Sequence, residues 1–253
     1  MTVDPTVYEG PETAYAQRER ERVAAGELPL RYGEPWGRPF FAAAAPALRP
    51  GASILDVGSG RLPTLPPDDR PPGSHYFGLD ISTKELAAAG SGAYDETVIS
   101  DITQRRPELE ERFDLVLSFQ VLEHVESMAA ALENMHAYLR PQGRMVAQIS
   151  GAFAPFALLA RVIPHSISRR LMQRLLGARP EEKFPTRYDH CHASALEPLL
   201  AGWSQHGIVP RFKGGAYFSF LRPLERGYLA YENWAERSGR ANLATHYVIW
   251  AVK

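Results

Sequence analysis

The run Ser53-Ile-Leu-Asp56-Val-Gly58-Ser59-Gly60 constrains this chain more than any other. A short apolar strand ends in an acid, and the chain then turns through two glycines that flank a serine. Glycine takes the backbone angles of such a turn freely and lets main-chain amides approach a ligand closely. A second strand, Tyr76-Phe-Gly-Leu-Asp80, ends in another acid about twenty residues further on. In a doubly wound sheet that spacing puts a carboxylate at the neighbouring strand tip, within reach of a ribose. These residues predict a site for a nucleoside-containing cofactor.

The following segments keep a strand–helix rhythm. Thr97–Asp101 is a third short strand that again ends in an acid. Phe113–Phe119 is nearly unbroken apolar sequence, as a buried parallel strand requires. Ser127 caps a helix over Met128–Leu139, and Arg144–Ser150 is a fifth strand. Strands over 207–213 and 245–252, with helices over 195–205 and 222–237, complete an α/β reading with an open parallel sheet. One departure stands out. The third glycine of a dinucleotide fingerprint is missing, and five prolines lie between Arg61 and His75. A helix after the first strand is therefore short or absent, and turn amides and side chains hold the cofactor in its place.

Residues 1–50 carry no strand pattern and read as an N-terminal helical lid, with a charged helix over 12–25 and a short helix over 40–48. Between them lies an aromatic loop. Its Tyr32 and Trp36 either pack on the core or close over a substrate. Residues 51–150 form the cofactor-binding core. Residues 151–206 read as a helical cap, with helices over 155–162 and 166–176, followed by a substrate loop around Tyr188, His190 and His192. Residues 207–253 return to the sheet.

Composition narrows the function. The 253 residues carry a formal net charge of −1, so no basic stripe marks a nucleic-acid partner. The single cysteine, Cys191, rules out an internal disulfide and suits a reducing compartment. No apolar run is long enough to span a bilayer, and the N-terminus lacks a signal-peptide pattern. The expectation is a cytoplasmic protein without stable membrane insertion, acting on a small molecule. Oligomeric state is not legible.

Six pieces occur together in order: Ile54-Leu-Asp56-Val-Gly58-Ser-Gly60, Gly78-Leu-Asp80-Ile81, Ser100-Asp101-Ile102, Phe113-Asp114-Leu-Val, Val121-Leu-Glu-His124-Val and Leu139-Arg-Pro-Gln-Gly143-Arg. In this the chain resembles class I S-adenosylmethionine-dependent methyltransferases, in the branch that includes quinone-biosynthesis and bacterial small-molecule enzymes. The resemblance implies a Rossmann-like seven-stranded sheet with the last strand antiparallel. It implies S-adenosylmethionine as cofactor, with Asp56, Gly58, Ser59 and Gly60 facing its methionine portion. Asp80 would hold the ribose, Ile81 would pack on adenine, and Asp101 with Ile102 would meet the adenine edge. Phe119 and Gln120 would lie near the sulfonium.

Methyl transfer from a sulfonium needs alignment, exclusion of water and, for a hydroxyl acceptor, removal of a proton. His192, His190 and His124 are the candidate bases, and Tyr188 is a candidate substrate contact beside them. A metal is not expected: Gln120 stands where a hard-cation site in some relatives has an acid, ahead of Glu123 and His124. O-methylation of a hydroxylated metabolite bearing a ring or an acyl or prenyl chain is the favoured reading. C- or N-methylation, a nicotinamide-dependent oxidoreductase and a non-catalytic nucleoside-binding module are the alternatives.

Overall fold

A computed structural model describes residues 14–154 and 186–253. One sheet organises them. Its strands are β1 (Ser53–Val57), β2 (His75–Asp80), β3 (Glu96–Ile99), β4 (Phe113–Phe119), β5 (Leu139–Ser150), β6 (Gln205–Arg211) and β7 (His246–Val252). They lie in the order β3-β2-β1-β4-β5-β7-β6. The first five strands are parallel, and β7 is antiparallel to both β5 and β6. This is the doubly wound, seven-stranded sheet with an antiparallel last strand that the sequence predicts.

Burial follows strand position. Central β4 is buried from Phe113 to Ser118, whereas edge strand β3 is mostly exposed. One face of the sheet packs Leu55, Val116 and Ile149 under α4 (Met128–Tyr138) and α5 (Ala193–Leu200). The other face packs Ile54, Leu117, Val146 and Val248 under Phe40 and Phe41 of α2 (Arg38–Ala44). Ser82 caps α3 (Thr83–Ala87) by accepting from the Glu85 N–H, and Ser127 caps α4 by accepting from Ala130. As the proline run predicts, only a single 3-10 turn, Pro67–Asp69, lies between β1 and β2.

Some boundaries differ from expectation. β5 begins at Leu139 rather than at the expected Arg144; Gln142 has φ 66° and the register against β4 shifts there. The helix expected over 40–48 is α2 followed by a 3-10 turn at Ala45–Ala47. The helices expected over 155–162 and 166–176 lie outside the described residues.

The N-terminal segment is riveted to the C-terminal part of the chain. Arg22 on α1 (Ala14–Ala24) makes a fork to Glu225 on α6 (Arg222–Arg237) at 2.7 and 2.9 Å. Arg31 donates to Asn233 and Glu236 and to the Phe212 carbonyl. The Tyr32 hydroxyl donates to buried Glu232 and accepts from Gly215 N–H at 2.7 Å. Tyr32 is 1% exposed. Its place in a lid over substrate is therefore corrected: both hydrogen-bonding roles of the hydroxyl are taken inside the protein, and the ring is core.

Candidate active site

The parallel strands end at one edge of the sheet, and the three acids named above stand at or near it. They do different things. Asp56 is fully buried and accepts from the Thr64 N–H at 2.7 Å, the Thr64 hydroxyl at 2.7 Å and the Tyr76 hydroxyl at 2.8 Å. Tyr76 in turn accepts from Leu65 N–H at 3.0 Å, and the Arg70 guanidinium lies 3.8 Å from the Tyr76 ring centre. Burial pushes the Asp56 carboxyl up to about 6, against the pull of its three donors. Asp56 thus anchors the proline-rich loop, and its oxygens face protein donors in place of the expected methionine portion. In the sequence Thr64 is hidden among prolines, and Tyr76, the second residue of β2, gives no polar signal.

Asp80 is different. Its Oδ2 accepts from Gly60 N–H at 3.0 Å and its Oδ1 from Ser82 N–H at 2.8 Å. A carboxylate has about four acceptor positions, so about two stay open. Gly60 has φ 52°, and that conformation aims its amide at Asp80. Gly58 has φ 73°, and a Cβ there would fall 2.3 Å from Val121, so packing also requires glycine. Ser59 is buried beside Gly78.

On the next strand tip, Asp101 takes both the Thr103 N–H and hydroxyl on Oδ1, each at 2.8 Å. Its Oδ2 has no hydrogen bond among the described residues. Ile81 is 53% exposed directly after Asp80. Ile102 has its side chain in the core and its carbonyl on Asn134. The rim therefore offers open carboxylate lone pairs at two adjacent tips and an uncovered apolar side chain. Those features suit hydroxyl and amino donors around a flat ring.

Beyond β4 the edge is polar and strained. Phe119 meets Phe40 edge-on at 5.2 Å. Gln120 has φ 59°, an uncommon conformation for a residue with a side chain. Its Oε1 accepts from the Ser150 hydroxyl at 2.9 Å. Glu123 is buried, accepts from Ser150 N–H on Oε1, and is pushed above the usual carboxylate range by that burial. Its backbone carbonyl takes the N–H groups of Arg187 and Tyr188 at 2.9 and 3.0 Å. This stitches the 186–192 segment onto the 3-10 turn Leu122–His124.

Within that segment Tyr188 and His190 both have positive φ, 55° and 53°. Asp189 works in two directions: Oδ2 accepts from Met128 N–H at the start of α4, and Oδ1 lies 2.6 Å from His190 Nδ1. The His190 side chain is 45% exposed. His192 lies against Phe153 at 4.8 Å, and burial, then nearby His190, lowers its pKa. His124 is half-buried on the turn. Among the described residues no three His, Cys, Asp or Glu side chains group as a metal site would need.

The antiparallel β7 brings one more group to this edge. His246 pairs in register with Ser150 and Arg211, and Trp36 meets its ring edge-on at 4.6 Å. The imidazole is buried beside Arg211 and Lys213; burial, then those cations, lowers its pKa to about 3. His246 is therefore neutral when folded and protonatable when unfolded. Stability it contributes is present above pH 6.5 and is lost as pH falls toward 3. Asp56, with its raised pKa, works in the opposite sense between about pH 6 and 3.8. The readout is thus the difference between wild type and His246→Phe. Between pH 7 and pH 4 that difference is expected to move by about 3 kcal/mol in the variant's favour, measured by urea melts. A difference constant with pH would mean that His246 titrates normally in the fold.

A profile of the methyltransferase-domain family matches residues 30–201. A ubiquinone biosynthesis O-methyltransferase of Rhodopseudomonas palustris is 34% identical over 180 residues, covering 68% of this chain and 64% of that protein. One from Bradyrhizobium diazoefficiens is 35% identical over 104 residues, covering 38% of this chain and 39% of that one. The chain thus spans less than two thirds of the length of these curated relatives. Among solved structures, phosphoethanolamine N-methyltransferase 2 of Haemonchus contortus in complex with S-adenosyl-L-methionine aligns with TM-score 0.53 at 15% identity, over 90% of this chain and 54% of that one. A possible exported protein of Bordetella parapertussis aligns with TM-score 0.52 at 18% identity, over 98% and 81%. These structural likenesses show a shared fold.

Proposed function

The chain belongs to the methyltransferase-domain family, the class I S-adenosylmethionine-dependent methyltransferases, and we propose that it methylates a hydroxyl oxygen on a small molecule. The observation that carries this reading is the rim at β2 and β3: Asp80 and Asp101 with open acceptor positions, and Ile81 exposed beside them. That donor set fits an adenosyl group. Asp80 would accept from the ribose hydroxyls, Asp101 Oδ2 from the adenine amino group, and Ile81 would cover one face of the base. When bound, the cofactor supplies an activated methyl group on sulfur.

The chain's own part is to orient the acceptor, exclude water and take a proton. Of the three candidate bases, His190 has the geometry we favour. Asp189 holds its Nδ1, which leaves Nε2 as the ring nitrogen for a proton. Asp189 is itself held by the start of α4, so the pair is positioned by a rigid element. His192 lies against the Phe153 ring and has no carboxylate in hydrogen-bond contact among the described residues. Trp36 and Tyr188 remain candidate substrate contacts, on the lid side and the loop side respectively. The near-neutral charge favours a small uncharged acceptor over nucleic acid.

Transfer of labelled methyl from S-adenosylmethionine to a panel of phenols, alcohols and amines tests the reading. Label on phenolic or alcoholic oxygen is the expected result; label confined to amines or carbon would redirect it. On an oxygen acceptor, His190→Ala should lower kcat about tenfold. That is below the usual range for a general base because the sulfonium is already activated. Affinity for S-adenosylhomocysteine should stay put. A drop in affinity with kcat intact would make His190 a cofactor contact.

A further inference from the structure

Gln148 is a polar residue in an otherwise apolar strand, Met145-Val-Ala-Gln148-Ile149. It is fully buried, and neither its Oε1 nor its Nε2 has a hydrogen-bond partner among the described residues. Buried carboxamides are nearly always satisfied, so such a group needs an explanation. Its flanks cannot satisfy it: its register neighbours are Phe119 on β4 and Val248 on β7. Strand alternation places it on the same face as Ser150. Ser150 holds Oε1 of Gln120, whose Nε2 is likewise buried without a partner among the described residues. Two carboxamides therefore leave one acceptor and two donor groups open at the same edge of the sheet. Phe40 packs on Phe119 at this point, and Trp36 on His246 two residues along.

We propose that Gln148 and Gln120 form the polar floor of the acceptor pocket and read an uncharged oxygen group, hydroxyl or carbonyl, on the substrate. This rests on the methyl-transfer reading and names the residues that select the acceptor. A primary amide offers both a donor and an acceptor, so it matches a neutral oxygen that can donate or accept. It offers no charge to balance a carboxylate or an ammonium group. Without ligand, the unpaired amide of Gln148 lowers the stability of the fold. Replacing it by an apolar side chain of similar size removes that penalty. The site thus trades stability for recognition, which makes it testable without knowing the natural substrate.

The test compares wild type with Gln148→Met in two measurements. The first is thermal unfolding of the free protein. The variant is expected to melt about 2–6 °C higher. A lower Tm would mean that a fixed water or protein group already satisfies the amide, and would overturn the proposal. The second is binding of phenol against toluene, which exchange a hydroxyl for a methyl group, by NMR titration with S-adenosylhomocysteine present. Wild type should prefer phenol about tenfold, and Gln148→Met should show almost no preference. An equal preference in both proteins, or none in wild type, would also overturn it. S-adenosylhomocysteine affinity should be the same in both proteins. If neither protein binds it, the methyl-transfer reading fails separately, and the Tm comparison still judges Gln148.

Discussion

Asp80→Ala is expected to weaken S-adenosylhomocysteine binding by about 2–3 kcal/mol, roughly 30- to 150-fold, with little change in Tm. The carboxylate stands at the tip of β2 with each oxygen accepting one backbone N–H, from Gly60 and from Ser82. Those two bonds fix its orientation and leave its outward lone pairs for the ribose. Hydrogen bonds from a neutral hydroxyl to an ionised carboxylate are worth more than neutral ones, and two are lost together. The stability effect is small because Asp80 is partly exposed, so water replaces it on the Gly60 and Ser82 amides. Asp80→Asn keeps one acceptor and should fall between. Unchanged affinity in Asp80→Ala would mean that the ribose is held elsewhere.

Asp56→Ala is expected to do the reverse: a loss of about 3–5 kcal/mol in stability. For a chain of this size that is a fall in Tm of roughly 6–20 °C. Asp56 is the common acceptor for Thr64 N–H, Thr64 hydroxyl and Tyr76 hydroxyl in a space without solvent. Truncation leaves those donors buried without partners and frees the loop from Arg61 to Pro66 that they hold against β2. Cofactor affinity should fall only as far as the loop loosens. An Asp56→Ala protein that melts like wild type but has lost S-adenosylhomocysteine would show instead that this acid touches the cofactor.

The contrast between these acids explains how far the sequence could be read. Both end apolar strands, and strand ends are legible from the pattern around them. The partners are not. Asp80 meets backbone amides of the glycine turn and of the residue two positions on, so local spacing predicts its setting. Asp56 meets Thr64 and Tyr76, which come together only because the proline run folds back over the sheet. The seven-stranded sheet with an antiparallel last strand is what the family resemblance of the six short motifs implies, and Phe113–Phe119 reads as a buried strand on its own; the strand order comes from the fold. β7 reads as one more apolar strand, but that its first residue, His246, stands beside Ser150 depends on an antiparallel register that only the fold reveals. Tyr32 shows the same limit: a tyrosine in a proline- and glycine-broken loop suits the core or a lid equally until Glu232, two hundred positions away, takes its hydroxyl. Gln148 carries a signal in the sequence, a lone amide in an apolar strand.

Calorimetric titration of the whole chain with S-adenosylhomocysteine and, separately, with NAD puts the cofactor assignment to the most direct test. A rim made of Asp80, Asp101 and Ile81 for an adenosyl thioether predicts one molecule of S-adenosylhomocysteine bound per chain and no measurable heat with NAD. Saturable NAD binding with none for S-adenosylhomocysteine would contradict it.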